Sequence, residues 1–257
     1  MVISFVQIQI FMLIAARIIG LFMVAPLFSS KSLAGVYKMT FIFMFTFLLW
    51  FAVPFTPTKL PSDYIIFLIA LFNEFLIGLL LGSVVNFIFN GIEAAGELMG
   101  AQMGLSVSSM LDPTTGMQTT ITARLLQMIV MMLFLIVDGH HFLLTALYKS
   151  YDALPMLYSW NLALGAREVV NLGGQIFAIG IQLSAPILLT IFLLDFAFGL
   201  ISRVAPQVNV FQLGFQVKPI LGIFVLMLMI PLLLERIIWI LNMMIEKLTV
   251  VMMYLRR

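Results

Sequence analysis

Residues 64–104 read YIIFLIALFNEFLIGLLLGSVVNFIFNGIEAAGELMGAQMG. No proline falls in the stretch, and the next along the chain is Pro113. Crossing the ~30 Å hydrocarbon core takes about 20 apolar residues. A helix starting at Tyr64 is therefore predicted to run far longer than one crossing requires. Ser62 or Asp63 can cap it, because a short side-chain oxygen accepts the free amide hydrogens of a first turn. The later part, from Asn90 to Gly104, turns polar with Glu93, Glu97 and Gln102. Gly78 and Gly82, then Gly96, Gly100 and Gly104, recur four apart. Residues four apart share a helix face, and glycine there lets another backbone come close. Tight helix packing is predicted along that ladder.

The next stretch, Leu105–Thr122, breaks the apolar pattern with Ser, Thr, Gly and Asp. Irregular backbone at membrane depth leaves amides unsatisfied unless it is buried in protein or lines a wet cavity. Pro113 and Gly116 can bend it. From the residues alone, a re-entrant pore loop or plug and an ordinary surface loop stand level.

Outward from this centre the chain reads as more helix. Phe5–Phe28 ends near Pro26, and Met39–Phe55 is closed by Pro54. After the loop come Ala123–Val137, stopped by Asp138-Gly139, and the shorter Phe142–Leu157, which can span, re-enter or lie flat. A long helix is expected at Val169–Val204, kinked at Pro186. A last one is expected at Ile220–Tyr254, interrupted by Pro231 and Glu235-Arg236. Met1 to Ala16 carries no charge, so the opening reads as a retained helix and not a removed signal. If six segments span, the basic residues divide seven (Lys31, Lys38, Lys149, Arg167, Lys247, Arg256, Arg257) against three (Lys59, Arg203, Lys218). That count favours an outer N-terminus and a cytoplasmic C-terminus.

Composition agrees. The chain has 257 residues, 63% of them apolar and 9% charged, against about 25% charged in soluble domains. Its mean hydropathy is +1.17. The fold class is all-α, a polytopic membrane protein without a soluble domain. A net charge of +2 gives no field to recruit nucleic acid. Absent cysteine removes disulfides, thiolate metal sites and cysteine nucleophiles. The abundant Met, 19 residues, suits irregular protein contacts as well as lipid.

Few residues carry charge, so each has to be accounted for. Arg17, Glu74, Arg124, Asp195 and Glu235-Arg236 lie in apolar surroundings, where an unpaired charge costs about 2.5–3.5 kcal/mol on insertion scales. Mutual pairing is expected, such as Arg17 with Glu74 or Asp195; Arg203 is counted among the pairing charges. Glu93 and Glu97, one turn apart, must face water, a cation or a protein lumen. Asp138-Gly139-His140-His141 holds both histidines. It lacks the HExxH pattern or a third spaced ligand and is read as a helix boundary, with no metal. The patterns GxSxG and GxxxxGK[ST] are missing. Neither an enzyme nor a bound cofactor is expected.

Several strings together resemble a known family. Arg17-Ile-Ile-Gly20 with Ala25-Pro26-Leu27-Phe28 resembles the first-helix signature of the FliR family of flagellar biosynthesis proteins and their type III secretion counterparts. Glu74-Phe-Leu-Ile-Gly78-x-x-x-Gly82 and Ala95-Gly96-Glu97-x-x-Gly100-x-Gln102-x-Gly104 are similar to its next block. Asp112-Pro113-x-x-Gly116-x-Gln118 is similar to its central loop, and Gly139-His140 to the following turn. Most specific is Gly199-x-x-x-Arg203-Val-Ala-Pro206-Gln207-x-Asn209-Val-Phe211, with Gly214-Phe215 and Lys218 after it. Asp138 departs from the pattern, standing where the family commonly has a small residue.

The resemblance implies a subunit of the export gate in the bacterial inner membrane, at the flagellar basal body. It would assemble with FliP and FliQ homologues beside an FlhB homologue and pass unfolded export substrates. It also implies long, tilted and kinked helices in a helical hetero-oligomer, part of it above the bilayer plane, with residues 1–150 FliP-like and 151–257 FliQ-like. On that basis the central loop becomes a pore plug, comprising Ser106, Val107, Ser108, Ser109, Met110, Leu111, Asp112, Pro113, Thr114, Thr115, Gly116, Met117 and Gln118. Met103, Met110 and Met117 can add a soft gasket. The competing readings are an injectisome homologue, an ion-coupled transporter using Glu93, Glu97 and Arg124, and a scaffold subunit that does not line the channel.

Overall fold

The computed structural model describes residues 5–29, 34–52, 63–106, 119–157 and 161–256. Among them every regular element is a helix: α1 (Phe5–Val24), α2 (Pro26–Ser29), α3 (Gly35–Ala52), α4 (Tyr64–Gln102), α5 (Ile121–Ile136), α6 (Gly139–Ala153), α7 (Leu162–Val204) and α8 (Val210–Arg256). By length and composition five of these can cross a membrane, or six if α5 and α6 count as one broken span. The chain is an all-α, multi-pass membrane protein.

Side-chain caps set the starts of four helices. Asp63 Oδ1 accepts from the Ile65 amide at 3.1 Å, fixing the start of α4. Thr120 Oγ1 accepts from the Ala123 amide at 3.3 Å and starts α5. Asn161 Oδ1 accepts from the Leu164 amide at 3.2 Å, so α7 begins at Leu162 and not at Val169. Asn209 does the same for Gln212 at 3.2 Å, and α8 begins at Val210, not Ile220. Pro186 lies inside its helix as expected, whereas Pro219 and Pro231 neither delay nor interrupt theirs. Helix α7 continues through Pro186, and α8 through both Pro219 and Pro231. Each proline removes one backbone hydrogen bond, a loss that a long apolar helix with many other bonds can carry.

At 1.5 Å per residue, α4 with its 39 residues is about 58 Å long, and α8 with 47 about 70 Å. Both exceed the ~30 Å hydrocarbon core, so each must tilt steeply or stand partly clear of it. The chain forms two compact units, and the long helices contribute to both. The first comprises Met1–Ile88, Asp138–Gly173 and Leu241–Arg257; the second comprises Phe89–Val137 and Gly174–Ile240.

In the first unit α1 crosses the early part of α4 backbone to backbone. A Cβ on Gly78 would overlap the Arg17 carbonyl, and one on Gly82 would come within 2.7 Å of the Leu21 carbonyl oxygen. Gly20 of α1 returns the contact against Phe75 and Leu79. Leu13, Ile14, Ile18, Ile77 and Leu81 around this crossing are buried. By contrast α3 leaves Met39, Phe43 and Phe51 more than half exposed. Such a surface needs lipid or a neighbouring subunit over it.

Candidate functional site

Helix α4 ends in a defined stop. The Leu105 amide donates to the Gly100 carbonyl at 2.9 Å, and the Gly104 amide to the Ala101 carbonyl at 3.1 Å. These are the paired bonds of a Schellman motif, which requires a left-handed residue after the helix. Gly104 supplies it with φ +78°. A Cβ on Gly104 would meet nothing within 4 Å. Gly104 thus differs from the role expected for it: it turns the chain out of the helix and packs against no other backbone.

Gly96 and Gly100 face a different neighbour from Gly78 and Gly82. In the second unit a Cβ on Gly96 would overlap the Ala123 backbone, and one on Gly100 would overlap Thr122 Oγ1. The chain returning to α5 is tied down at the same place. The Thr120 amide donates to Glu97 Oε1 at 2.9 Å, and Thr122 Oγ1 donates to the Gly96 carbonyl at 2.8 Å. The close approach that glycine permits lets those hydroxyls reach a helical carbonyl. Glu93 Oε2 accepts from Gln127 Nε2 at 3.4 Å, a longer contact between α4 and α5.

Both flanks of the central loop are therefore fixed on α4, by the Gly104 turn on one side and by Glu97 and Gly96 on the other. Residues 107–118 lie outside the described residues. Of the segment read as a plug, only Ser106 is described, and it lines a cleft of about 550 Å³.

Its other walls are the end of α4, from Ala101 to Gly104, and the residues about the α7–α8 turn, where the most specific motif lies. Phe198, Gly199, Phe211, Gly214 and Phe215 line it with Asp195 and Lys218. Lys218 Nζ lies 2.7 Å from Asp195 Oδ1 and donates to Oδ2 at 3.0 Å, joining the two helices. Arg203 is exposed in the last turn of α7, where a cation suits the helix C-terminal dipole. Below the turn α8 passes close to the end of α4: a Cβ on Gly222 would overlap the Met103 side chain. Higher on α4, Gly91 and Gly180 form a further close approach, with a Cβ on Gly180 falling 2.6 Å from the Gly91 carbonyl oxygen.

The buried cation belongs to the first unit. Arg17 is fully buried. Its Nε donates to Glu74 Oε2 at 2.6 Å, its Nη1 to Ser150 Oγ at 3.0 Å, and its Nη2 to the Leu154 carbonyl at 3.0 Å. The guanidinium carbon lies 4.2 Å from the centre of the Tyr151 ring, within the range of an attractive cation–π contact. Asp195, the alternative partner read from the sequence, is engaged with Lys218 instead.

Residues 8–244 match the family described as bacterial export proteins, family 1. The chain belongs to that family. The match takes in the buried arginine, the glycine ladder, both flanks of the loop and the α7–α8 turn. Among the relatives of this bacterial export protein is a flagellar biosynthetic protein FliR from Pectobacterium carotovorum subsp. carotovorum, 33% identical over 84% of this chain and 82% of its own. FliR of Escherichia coli K12 is 30% identical over the same shares. FliR of Bacillus subtilis 168 is 31% identical over 81% of each chain. Within the export family, then, the sequence strings that carried the resemblance are spread over both compact units.

Proposed function

We propose that this export-family chain is a subunit of the flagellar type III export gate in the bacterial inner membrane, and that its central loop plugs the channel. Its FliR relatives support a role in flagellar export. The observation that best supports the finer reading is the mounting of the loop. A small, polar, bendable segment springs from a glycine stop at Gly104 and returns to α4 through Thr120. Such a segment can block a wet pore and withdraw without tearing packed helices apart, because bonds outside it hold its flanks.

In this reading the exposed apolar faces of α3, α7 and α8 are shared between lipid and neighbouring subunits, namely homologues of FliP and FliQ with an FlhB homologue adjoining. Residues 1–150 act as the FliP-like half and 151–257 as the FliQ-like half. An ion-coupled carrier is less well supported, since Glu97, a carboxylate it would need, already accepts the Thr120 amide. Gentle detergent extraction of the chain from its own cells is expected to bring down the FliP and FliQ homologues in a stable complex. Extraction from those cells that brings down neither homologue would contradict the assignment.

A further inference from the structure

The break between α5 and α6 carries the group Asp138, His140 and His141. We infer that it forms a divalent transition-metal site that takes Zn²⁺ through two imidazoles and one carboxylate. One donor atom from each of the three residues lies within 4.8 Å of the others. Donors sharing one zinc at 2.0–2.1 Å in tetrahedral geometry stand about 3.3 Å apart. Closing the remaining gap takes small side-chain rotations. Asp138 and His141 are free to make them, with side chains 70% and 74% exposed.

Two features of this turn leave donor atoms unused. Asp138 occupies the N-cap position of α6, yet its carboxylate makes no capping hydrogen bond. Aspartate ordinarily caps, since the bond satisfies an orphan amide. Here the carboxylate stands 3.8 Å from His141 Nδ1. Asp138 lies in the left-handed region at φ 56°, one residue past the C-cap Val137 of α5, where a left-handed residue commonly ends a helix. Finally, His140 Nδ1 is closed off from solvent with no hydrogen-bond partner. A buried polar atom is normally paired.

Coordination uses the uncapped carboxylate and engages the neighbouring imidazoles. Neutral imidazole and carboxylate are a common donor set for zinc, and three protein donors leave a fourth position for water or a further ligand. The third ligand that the sequence reading found missing is thus Asp138 itself. It sits two residues before the first histidine, where a helical spacing rule does not look. This site is independent of the export reading and concerns only the first turn of α6.

The test uses the full chain without a polyhistidine tag, purified in detergent and stripped with a chelator, and Zn²⁺ alone as probe. Equilibrium dialysis with elemental analysis is expected to give one zinc per chain, and zinc is expected to raise the melting temperature. Asp138→Gly keeps the left-handed turn without strain and removes the carboxylate. It should fold at least as well without zinc, bind zinc more than about tenfold more weakly and lose the thermal shift. His141→Ala should show the same weakening. Undetectable zinc binding by the unaltered chain would overturn the site, as would equal affinity and thermal shift in both variants.

Discussion

Removing Val107–Met117, with a short Gly-Ser bridge from Ser106 to Gln118, is expected to leave the complex assembled and let small ions leak through it. Assembly should survive because bonds among the remaining residues hold the loop's flanks. Leu105 and Gly104 still close the end of α4 on Gly100 and Ala101. Met103 still packs under Gly222, and Glu97 still receives the Thr120 amide. What is lost is the material proposed to fill the channel. In planar bilayers or whole-cell conductance the expected change is from background to resolvable current steps. A deletion complex that assembles normally and stays tight to ions would remove the plug from the account while leaving the family assignment untouched.

Glu74→Ala should give the largest loss of stability. Arg17 cannot shed its proton, because guanidinium stays charged, and it has no exposure through which to reach water. Breaking a buried pair from one side costs about 3–5 kcal/mol, since the surviving charge is left uncompensated. Ser150 Oγ and the Leu154 carbonyl would still accept from the guanidinium, but neither carries the opposite charge. Glu74→Gln keeps an acceptor and should fall between the two. The double replacement Arg17→Met with Glu74→Leu removes both charges together and should recover much of the loss. Thermal or denaturant unfolding of the purified chain in detergent measures all four proteins. A Glu74→Ala protein as stable as its parent would mean that this pair does not hold α1 to α4.

The helices were legible because apolar runs and proline stops announce them; their starts were less so. Asn161 and Asn209 each cap a helix whose early turns carry Gly165, Arg167 and Glu168 in α7 and Gln212, Gly214 and Gln216 in α8, so those turns look like linker in the sequence. Glu74 could be named as a partner of Arg17 because few charges were available to choose from. Ser150, Tyr151 and the Leu154 carbonyl could not, since they come from more than 130 residues away and neutral groups give no sequence signal. The ladder on α4 was visible as spacing, but its use was not. Gly78 and Gly82 meet α1, Gly96 and Gly100 meet the start of α5, and Gly104 serves backbone conformation. Gly91 and Gly180 escaped notice because their match is made across two helices and not within one. The cleft that joins Ser106 to Phe211 and Lys218 unites two motifs quoted separately from the sequence, and only folding shows that they are neighbours.

The chain has no cysteine, so single cysteines report position without background. With an export substrate stalled in the assembled complex, a cysteine at Ser106 or at any of residues 107–118 is expected to cross-link to it. One at Tyr64, exposed at the start of α4, is not. Cross-links at the loop that depend on the stalled substrate are the result the account predicts. Their absence, or equal labelling at Tyr64, would contradict it and leave the chain a scaffold beside the channel.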